Sequence, residues 1–371
     1  MRIQSVGRAL PAHRHTQDEI RAMLADLWAD QPSIVARLPK LYENTRVHQR
    51  HLALPLDAYR SLDTFGRSND AWIQASLALG QEAIEDALAQ AGLTPADVDA
   101  LFTVSVTGVA SPALDARLMN RMPLRPDMKR IPIFGLGCVA GVAGIARAAD
   151  YVRAFPDQVA VLLSVELCSL TFQRHDLSLA HVLSAGLFGD GAAAVVVVGE
   201  ERAQKLAQQG PRVVATRSVF YPNTEDAMGW HISEHGFGLI LSPEVPELAR
   251  TRLAPDVDRF LADQGHARAD IDRWVCHPGG PKVLQAMQEG LDLTEDAVAL
   301  SWEMLASQGN LSSTSVLMVL RETLARRGLA ADERGLLLAM GPAFCSELVL
   351  IEGEGRRADA RSRVPAMRGP L

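Results

Sequence analysis

Three side chains in this sequence could together carry acyl-transfer chemistry: Cys138, His277 and Asn310. Cys138 follows Ile131-Pro132-Ile133-Phe134-Gly135-Leu136-Gly137 and precedes the small-residue run Val139-Ala140-Gly141. A short apolar strand that ends in glycines and passes into a helix puts the thiol at a helix N-terminus, where partial positive charge favours thiolate. An unperturbed thiol, with a pKa of ~8.5, is a poor nucleophile at neutral pH without such help. Two other readings stay open for this segment. One is an ordinary buried cysteine; the other is a nucleotide loop, although Gly135-x-Gly137-x-x-x-Gly141 misses the G-x-G-x-x-G spacing. His277 ends an apolar stretch and is followed by Pro278-Gly279-Gly280-Pro281. Placed there, an imidazole can take a thiol proton, or it can simply be a turn histidine. Asn310 lies at another helix start, as an amide donor or a plain N-cap.

The elements that must position these residues repeat. Ala87–Val104 aligns without gaps on Phe260–His277, and each copy has a helix end, a Gly stop, an Ala-Asp-(Val/Ile)-Asp turn and an apolar strand, expected over Leu101–Val106 and Trp274–His277. Gly137-Cys138 with the helical pattern Val139–Val152 then faces Gly309-Asn310 with Leu311–Leu324. Phe188-Gly189-Asp190-Gly191 before Ala192–Val198 faces Met340-Gly341-Pro342-Ala343 before Glu347–Ile351. Alternating strands and helices in two copies predict two α/β halves related by a pseudo-twofold axis. Cys138 and Asn310 are then equivalent positions near that axis, and His277 ends a strand just before the Asn310 helix. The expected organisation is residues 1–205 carrying Cys138, residues 206–354 carrying His277 and Asn310, and a flexible basic tail over 355–371.

Taken in order, Gly135-Leu136-Gly137-Cys138-Val139-Ala140-Gly141, Leu187-Phe188-Gly189-Asp190-Gly191, His277-Pro278-Gly279-Gly280 and Gly309-Asn310-Leu311-Ser312-Ser313 resemble the type III polyketide synthases, the chalcone-synthase-like branch of the thiolase fold. The resemblance covers roughly residues 1–352. It implies a homodimer of αβαβα-layered halves and an acyltransferase that condenses acyl-CoA with malonyl-CoA by decarboxylation. Cys138 would hold the acyl chain, while His277 and Asn310 would hydrogen-bond the malonyl thioester oxygen. Phe188 would be an aromatic gate, Arg46 and Arg50 would meet CoA phosphates, and Cys168, Thr171, Trp230, Leu239 and Ser312 would line the pocket. Relative to the plant enzymes, Leu239 replaces a second gating Phe, Trp230 replaces a Gly, and Ser111 replaces a Met. These departures suggest a fatty acyl-CoA starter and an alkylpyrone or alkylresorcinol product. The alternatives are malonyl-CoA alone or an aromatic starter, and a ketoacyl-ACP-synthase-III-like single condensation. No metal or resident cofactor is implied, since the CoA thioesters are substrates.

Composition fits this reading. The 371 residues, 48% hydrophobic and 22% charged, exclude a disordered chain or a small stapled domain. A net charge of -7 argues against nucleic acid as partner. The tail 355–371 has five Arg and one Asp, a net of +4, which leaves -11 for the rest. Four cysteines without metal-ligand spacing point to a reducing, cytoplasmic setting, with Cys276 and Cys345 structural. No apolar run approaches a membrane span or a signal peptide core, so no stable membrane insertion is expected.

Overall fold

The repeated turns are built from the same hydrogen bonds in both halves. Gly92 (φ 65°) and Gly265 (φ 78°) take left-handed conformations that stop a helix in each copy. Leu93 N then donates to Leu88 O, and His266 N to Leu261 O, both at 2.9 Å. In the Ala-Asp-(Val/Ile)-Asp turns, the first carboxylate accepts from the amide of Thr94 or Ala267, each at 2.8 Å. The second aspartate accepts from Val159 N or Arg334 N, again at 2.8 Å in both copies. Each turn thereby pins the start of the strand beside it.

The computed structural model describes residues 1–353; the basic tail 355–371 singled out above lies outside the described residues. In chain order the strands are β1 (Arg2–Ala9), β2 (His13–Thr16), β3 (Gln49–Leu52), β4 (Ala100–Val104), β5 (Lys129–Ile133), β6 (Val159–Leu167) and β7 (Asp190–Val198). They continue as β8 (Arg212–Phe220), β9 (Met228–Ser233), β10 (Gly236–Leu241), β11 (Arg273–Cys276), β12 (Arg334–Gly341) and β13 (Cys345–Glu352). Nine of them form one sheet in the order β11-β12-β13-β8-β1-β7-β6-β4-β5. The half-sheets β4-β6-β7-β1 and β11-β12-β13-β8 mirror each other and join through the Arg2↔Arg212 pairing. β4 is shorter than its apolar run, because Val106 N leaves the ladder to donate to the buried Glu166 carboxylate at 3.1 Å.

Both faces of each half-sheet are covered. Along β6, Val159, Val161, Leu163 and Val165 face the core under helix Phe65–Ala91, while Ala160 and Leu162 face the central helices. Every residue of β6 and β7 is buried, as a sheet covered on both sides requires. The central layer is the pair of helices Ala140–Ala154 and Ser313–Arg326, equivalent in the repeat. Helices Val245–Ala262 and Pro281–Leu291 cover the outer face of the C-terminal half-sheet. This is the duplicated α/β architecture that the repeat predicts, with the αβαβα layering that the resemblance implies. Among the described residues, no helix is long and apolar enough to cross a membrane.

Candidate active site

The two central helices are also the helices that present Cys138 and Asn310. Cys138 sits in a 3-10 turn, Gly137–Val139, that runs directly into helix Ala140–Ala154. Gly137 has φ 55°, and a Cβ on it would overlap the Pro342 ring, so only glycine lets this turn lie against the end of β12. Three residues into the helix-bearing run, Gly141 allows the backbone to lie against the Ser313 carbonyl. That close crossing brings the Cys138 Sγ to 3.6 Å from Ser312 Oγ.

From Ser312 a chain of contacts reaches His277. Ser312 N donates to Asn310 Oδ1 at 2.8 Å, and Asn310 Nδ2 donates to Gly279 O at 2.9 Å. Gly279 N in turn donates to His277 O at 3.0 Å. Ser312 adopts φ 47°, uncommon for a residue with a side chain. With both ends of its amide engaged, Asn310 keeps one Nδ2 hydrogen for an incoming oxygen. His277 is buried, follows β11, and is held by its own N–H to Leu338 O at 2.9 Å. Neither ring nitrogen has a hydrogen-bond partner among the described residues. An unsatisfied buried imidazole is costly unless something arrives to use it.

Burial dominates the electrostatics and corrects one expectation. The thiolate expected at the helix start is not the favoured form: burial pushes the Cys138 thiol up to about 12, against the opposing hydrogen bond from Ser312. The nearby Glu166 carboxylate adds to that rise. Burial alone lowers His277 to about 4. Burial therefore works against charge on both side chains, and the imidazole offers ring nitrogens with no partner among the described residues to an incoming proton or oxygen. Glu166 itself is raised to about 7 by burial, opposed by hydrogen bonds from Ser313, Val106 N, Thr107 and Ser105. Sequence reasoning missed this group, although an acidic residue in the otherwise apolar Val159–Leu167 run was a visible signal.

Beside these residues lies a small cavity of about 50 Å³. Of the expected pocket residues, Phe188, Cys168, Thr171 and Trp230 line it, together with Phe172 and Tyr59. Leu239 and Ser312 do not. Leu239 is on β10, paired opposite Trp230 on β9, and Ser312 lies against Cys138. Phe188 joins the cavity to the Cys138 cluster. Its side chain lines the cavity, while its backbone is bridged to Asn310. The Cys168 thiol is buried in that wall, and burial raises it well above its ordinary value.

The two arginines separate. Arg46 is exposed, with its guanidinium 4.8 Å from the Trp302 ring centroid. Arg50 is corrected: it is buried, and its guanidinium donates to Ala185 O, Phe188 O and Gln17 Oε1. β3 alternates half-buried and buried positions, and Arg50 occupies an inward one. It cannot reach a CoA phosphate at the surface.

Residues 1–201 match the family described as chalcone and stilbene synthases, N-terminal domain, and residues 212–354 match its C-terminal domain. A 1,3,6,8-tetrahydroxynaphthalene synthase of Streptomyces peucetius subsp. caesius is 49% identical over 349 residues, covering 94% of this chain and 92% of the relative. An alpha-pyrone synthesis polyketide synthase-like protein of Mycobacterium tuberculosis is 30% identical, covering 94% of this chain and 90% of that one. The crystal structure of 1,3,6,8-tetrahydroxynaphthalene synthase from Streptomyces coelicolor, a bacterial type III polyketide synthase, superposes with a TM-score of 0.87. The two are 31% identical, and the match covers 96% of this chain and all of that one.

Proposed function

The chain belongs to the chalcone and stilbene synthase family and is a type III polyketide synthase, a condensing acyltransferase, and we propose that Cys138, His277 and Asn310 carry its chemistry. The observation that supports the assignment is the chain of contacts from Cys138 through Ser312, Asn310 and Gly279 to the backbone carbonyl of His277, which fixes the three residues about one another. His277 takes the Cys138 proton as sulfur attacks the starter thioester; the CoA sulfur leaves and regains that proton. Malonyl-CoA then binds with its thioester oxygen toward His277 and the free Nδ2 hydrogen of Asn310. As the C–C bond to CO2 breaks, its electron pair forms an enolate whose oxygen those two donors stabilise. The enolate carbon attacks the Cys138-bound carbonyl, a C–C bond forms, and the cysteine sulfur is released for the next round. Phe188 keeps the carboxylate in an apolar setting, where losing charge as CO2 is favoured.

Malonyl-CoA serves as both starter and extender in this reading. The cavity wall includes Tyr59, Ser169, Thr171 and Ser184, whose hydroxyls bond within the protein, beside the bulky Trp230 and Phe172. Such a bulky wall around a small cavity suits a compact chain. The product named for the Streptomyces peucetius relative is a bicyclic polyphenol without an alkyl tail. A second reading keeps the fatty acyl-CoA starter and an alkylpyrone or alkylresorcinol product. It is favoured by Leu239 opposite Trp230 and by the apolar Ile20, Met23 and Leu24 in the cavity wall. Arg46 is the surface cation assigned to the CoA phosphates. The working unit is a homodimer joined along β5, which ends the nine-stranded sheet near the exposed Phe134 and Val109.

Product mass spectra from malonyl-CoA alone, and from malonyl-CoA with acyl-CoAs of graded length, separate the readings. A tail-free polyphenol from malonyl-CoA alone is expected. Products that form only with long acyl-CoAs would establish the second reading instead. Cys138→Ala should abolish extension, and extension that persists would overturn the nucleophile assignment.

A further inference from the structure

Helix Leu179–Leu187 ends at Phe188, the residue shared by the cavity and the Cys138 cluster. A helix leaves its last carbonyls without internal partners. Here the four carbonyls of residues 185–188 are all taken, and by groups from distant parts of the chain. Arg50 Nη1 donates to Ala185 O at 2.9 Å and to Phe188 O at 2.6 Å. Gln17 Nε2 donates to Gly186 O at 2.6 Å. Asn310 N donates to Leu187 O at 2.9 Å, and Gly189 N returns a bond to Asn310 O at 3.0 Å. Arg50 Nη2 ties the set together by donating to Gln17 Oε1 at 3.0 Å.

The stem of Arg50 also lies where glycine is required on both sides of that bridge. A Cβ at Gly309, where φ is 75°, would stand 2.6 Å from Leu187 O and 3.0 Å from Arg50 Cδ. A Cβ at Gly189 would stand 2.3 Å from Gln308 O and in ordinary contact, at 3.6 Å, with Arg50 Cβ. No carboxylate pairs with the Arg50 guanidinium within 4.0 Å among the described residues, and the buried Asp190 carboxylate acts on it only from farther away. A buried cation met by carbonyl and amide oxygens is costly in a purely structural role. It is best accommodated at a helix C-terminus, where the carbonyl dipoles point at it.

We propose that Arg50 and Gln17 form a positioning clamp that sets the Phe188 gate and the Asn310 donor in one fixed relation. The clamp touches no reacting atom and acts through the backbone of residues 185–189 and 309–310. It rests on the assignment of Cys138 and Asn310 above. Loosening it misplaces the donor during decarboxylation and opens the gate to water, so chains held on Cys138 are lost by hydrolysis before full extension.

The test compares Gln17→Leu, Arg50→Lys and Arg50→Met in the full-length enzyme with malonyl-CoA. Mass spectrometry of the Cys138 peptide counts loaded sites, and rates and products are normalised to that count. The expected result is the same final extent of loading as in wild type, an unchanged KM for malonyl-CoA, and a per-site extension rate lower by about tenfold or more. Short hydrolysed chains should rise, and Arg50→Lys should be milder than Arg50→Met. A purely structural role predicts fewer active sites with the same per-site rate and product ratio, and that outcome would overturn the clamp. Should the Arg50 variants fail to fold, Gln17→Leu decides alone. If wild-type Cys138 never loads, the nucleophile assignment has failed first and the clamp falls with it.

Discussion

Replacing Gly341 by Ala tests whether the end of β12 sets the position of the reactive thiol. Gly341 precedes Pro342 in an extended strand, a backbone that alanine adopts freely. The added Cβ would stand 2.8 Å from Leu136 O, 3.0 Å from Val139 N and 3.1 Å from Val139 Cγ1. Those atoms flank Cys138 in the 3-10 turn. Ordinary contact begins at 3.4 Å, so the turn must retreat by about 0.6 Å. A displacement of 1 Å costs ~100-fold in well-aligned reactions, which makes a loss of about tenfold the expectation here. Stability should fall by ~1–3 kcal/mol from overpacking. The assay is the extension rate per loaded Cys138, with a urea transition measured alongside it. Gly66→Ala is the control: a Cβ there meets nothing within 4 Å, so rate and stability should hold. A Gly341→Ala enzyme with the wild-type rate per loaded cysteine would refute the reasoning, whatever its stability.

Four further outcomes follow from the same geometry. His277→Gln keeps a donor but removes the base, and acyl loading of Cys138 should fall by roughly 100-fold or more, read by burst kinetics. Arg46→Ala should raise KM for CoA substrates by roughly threefold to tenfold at low salt with kcat unchanged, and the effect should shrink as salt rises. Trp230→Ala removes a wall of the cavity and should shift the product mixture toward longer chains by mass spectrometry. Glu166 is raised from 4.5 to about 7, so the native state keeps a proton that the unfolded chain releases. Its contribution to stability is present below pH ~4.5 and is lost as pH rises toward 7. Glu166→Gln should flatten that part of the stability profile in denaturation measured across pH.

The parts legible in the sequence were those whose physics is local. Gly92 and Gly265, the paired Asp turns and the apolar strands after them announced a duplicated α/β chain, because turn chemistry is written in adjacent residues. Cys138, His277 and Asn310 were legible as residue types at equivalent junctions. Arg50 was misread for a concrete reason. In Asn44–His51 it reads as one of several basic residues, yet the carbonyls it meets lie 135 and 138 positions away. Only the inward register of β3 separates it from the exposed Arg46, and a four-residue strand carries too little pattern to show it. The state of the Cys138 thiol was misjudged because a helix terminus is visible in sequence and the depth of burial is not. Desolvation is the largest influence on that thiol and raises it.

The duplication explains how a thiol and an amide from opposite halves come to share a site, and why the two equivalents do different work. Helices Ala140–Ala154 and Ser313–Arg326 form the central layer, and their N-terminal segments meet where Gly141 lies against Ser313. The repeat therefore fixes two backbone positions and leaves the chemistry to whichever side chains stand there. On one side the position holds Cys138, the proposed nucleophile, on a turn kept small by Gly137. On the other it holds Asn310, whose amide is spent on Ser312 and Gly279 except for one hydrogen. His277 enters from the neighbouring strand end, at the loop that Asn310 anchors. Because one amide orients both the Ser312 turn beside the thiol and the Gly279 loop beside the imidazole, loss of the Asn310 side chain should damage acyl loading as well as decarboxylation. Asn310→Ala measured in both half-reactions tests this. A variant that loads Cys138 at the wild-type rate and fails only in decarboxylation would show that Asn310 is a donor alone and that the chain of contacts does not orient its neighbours.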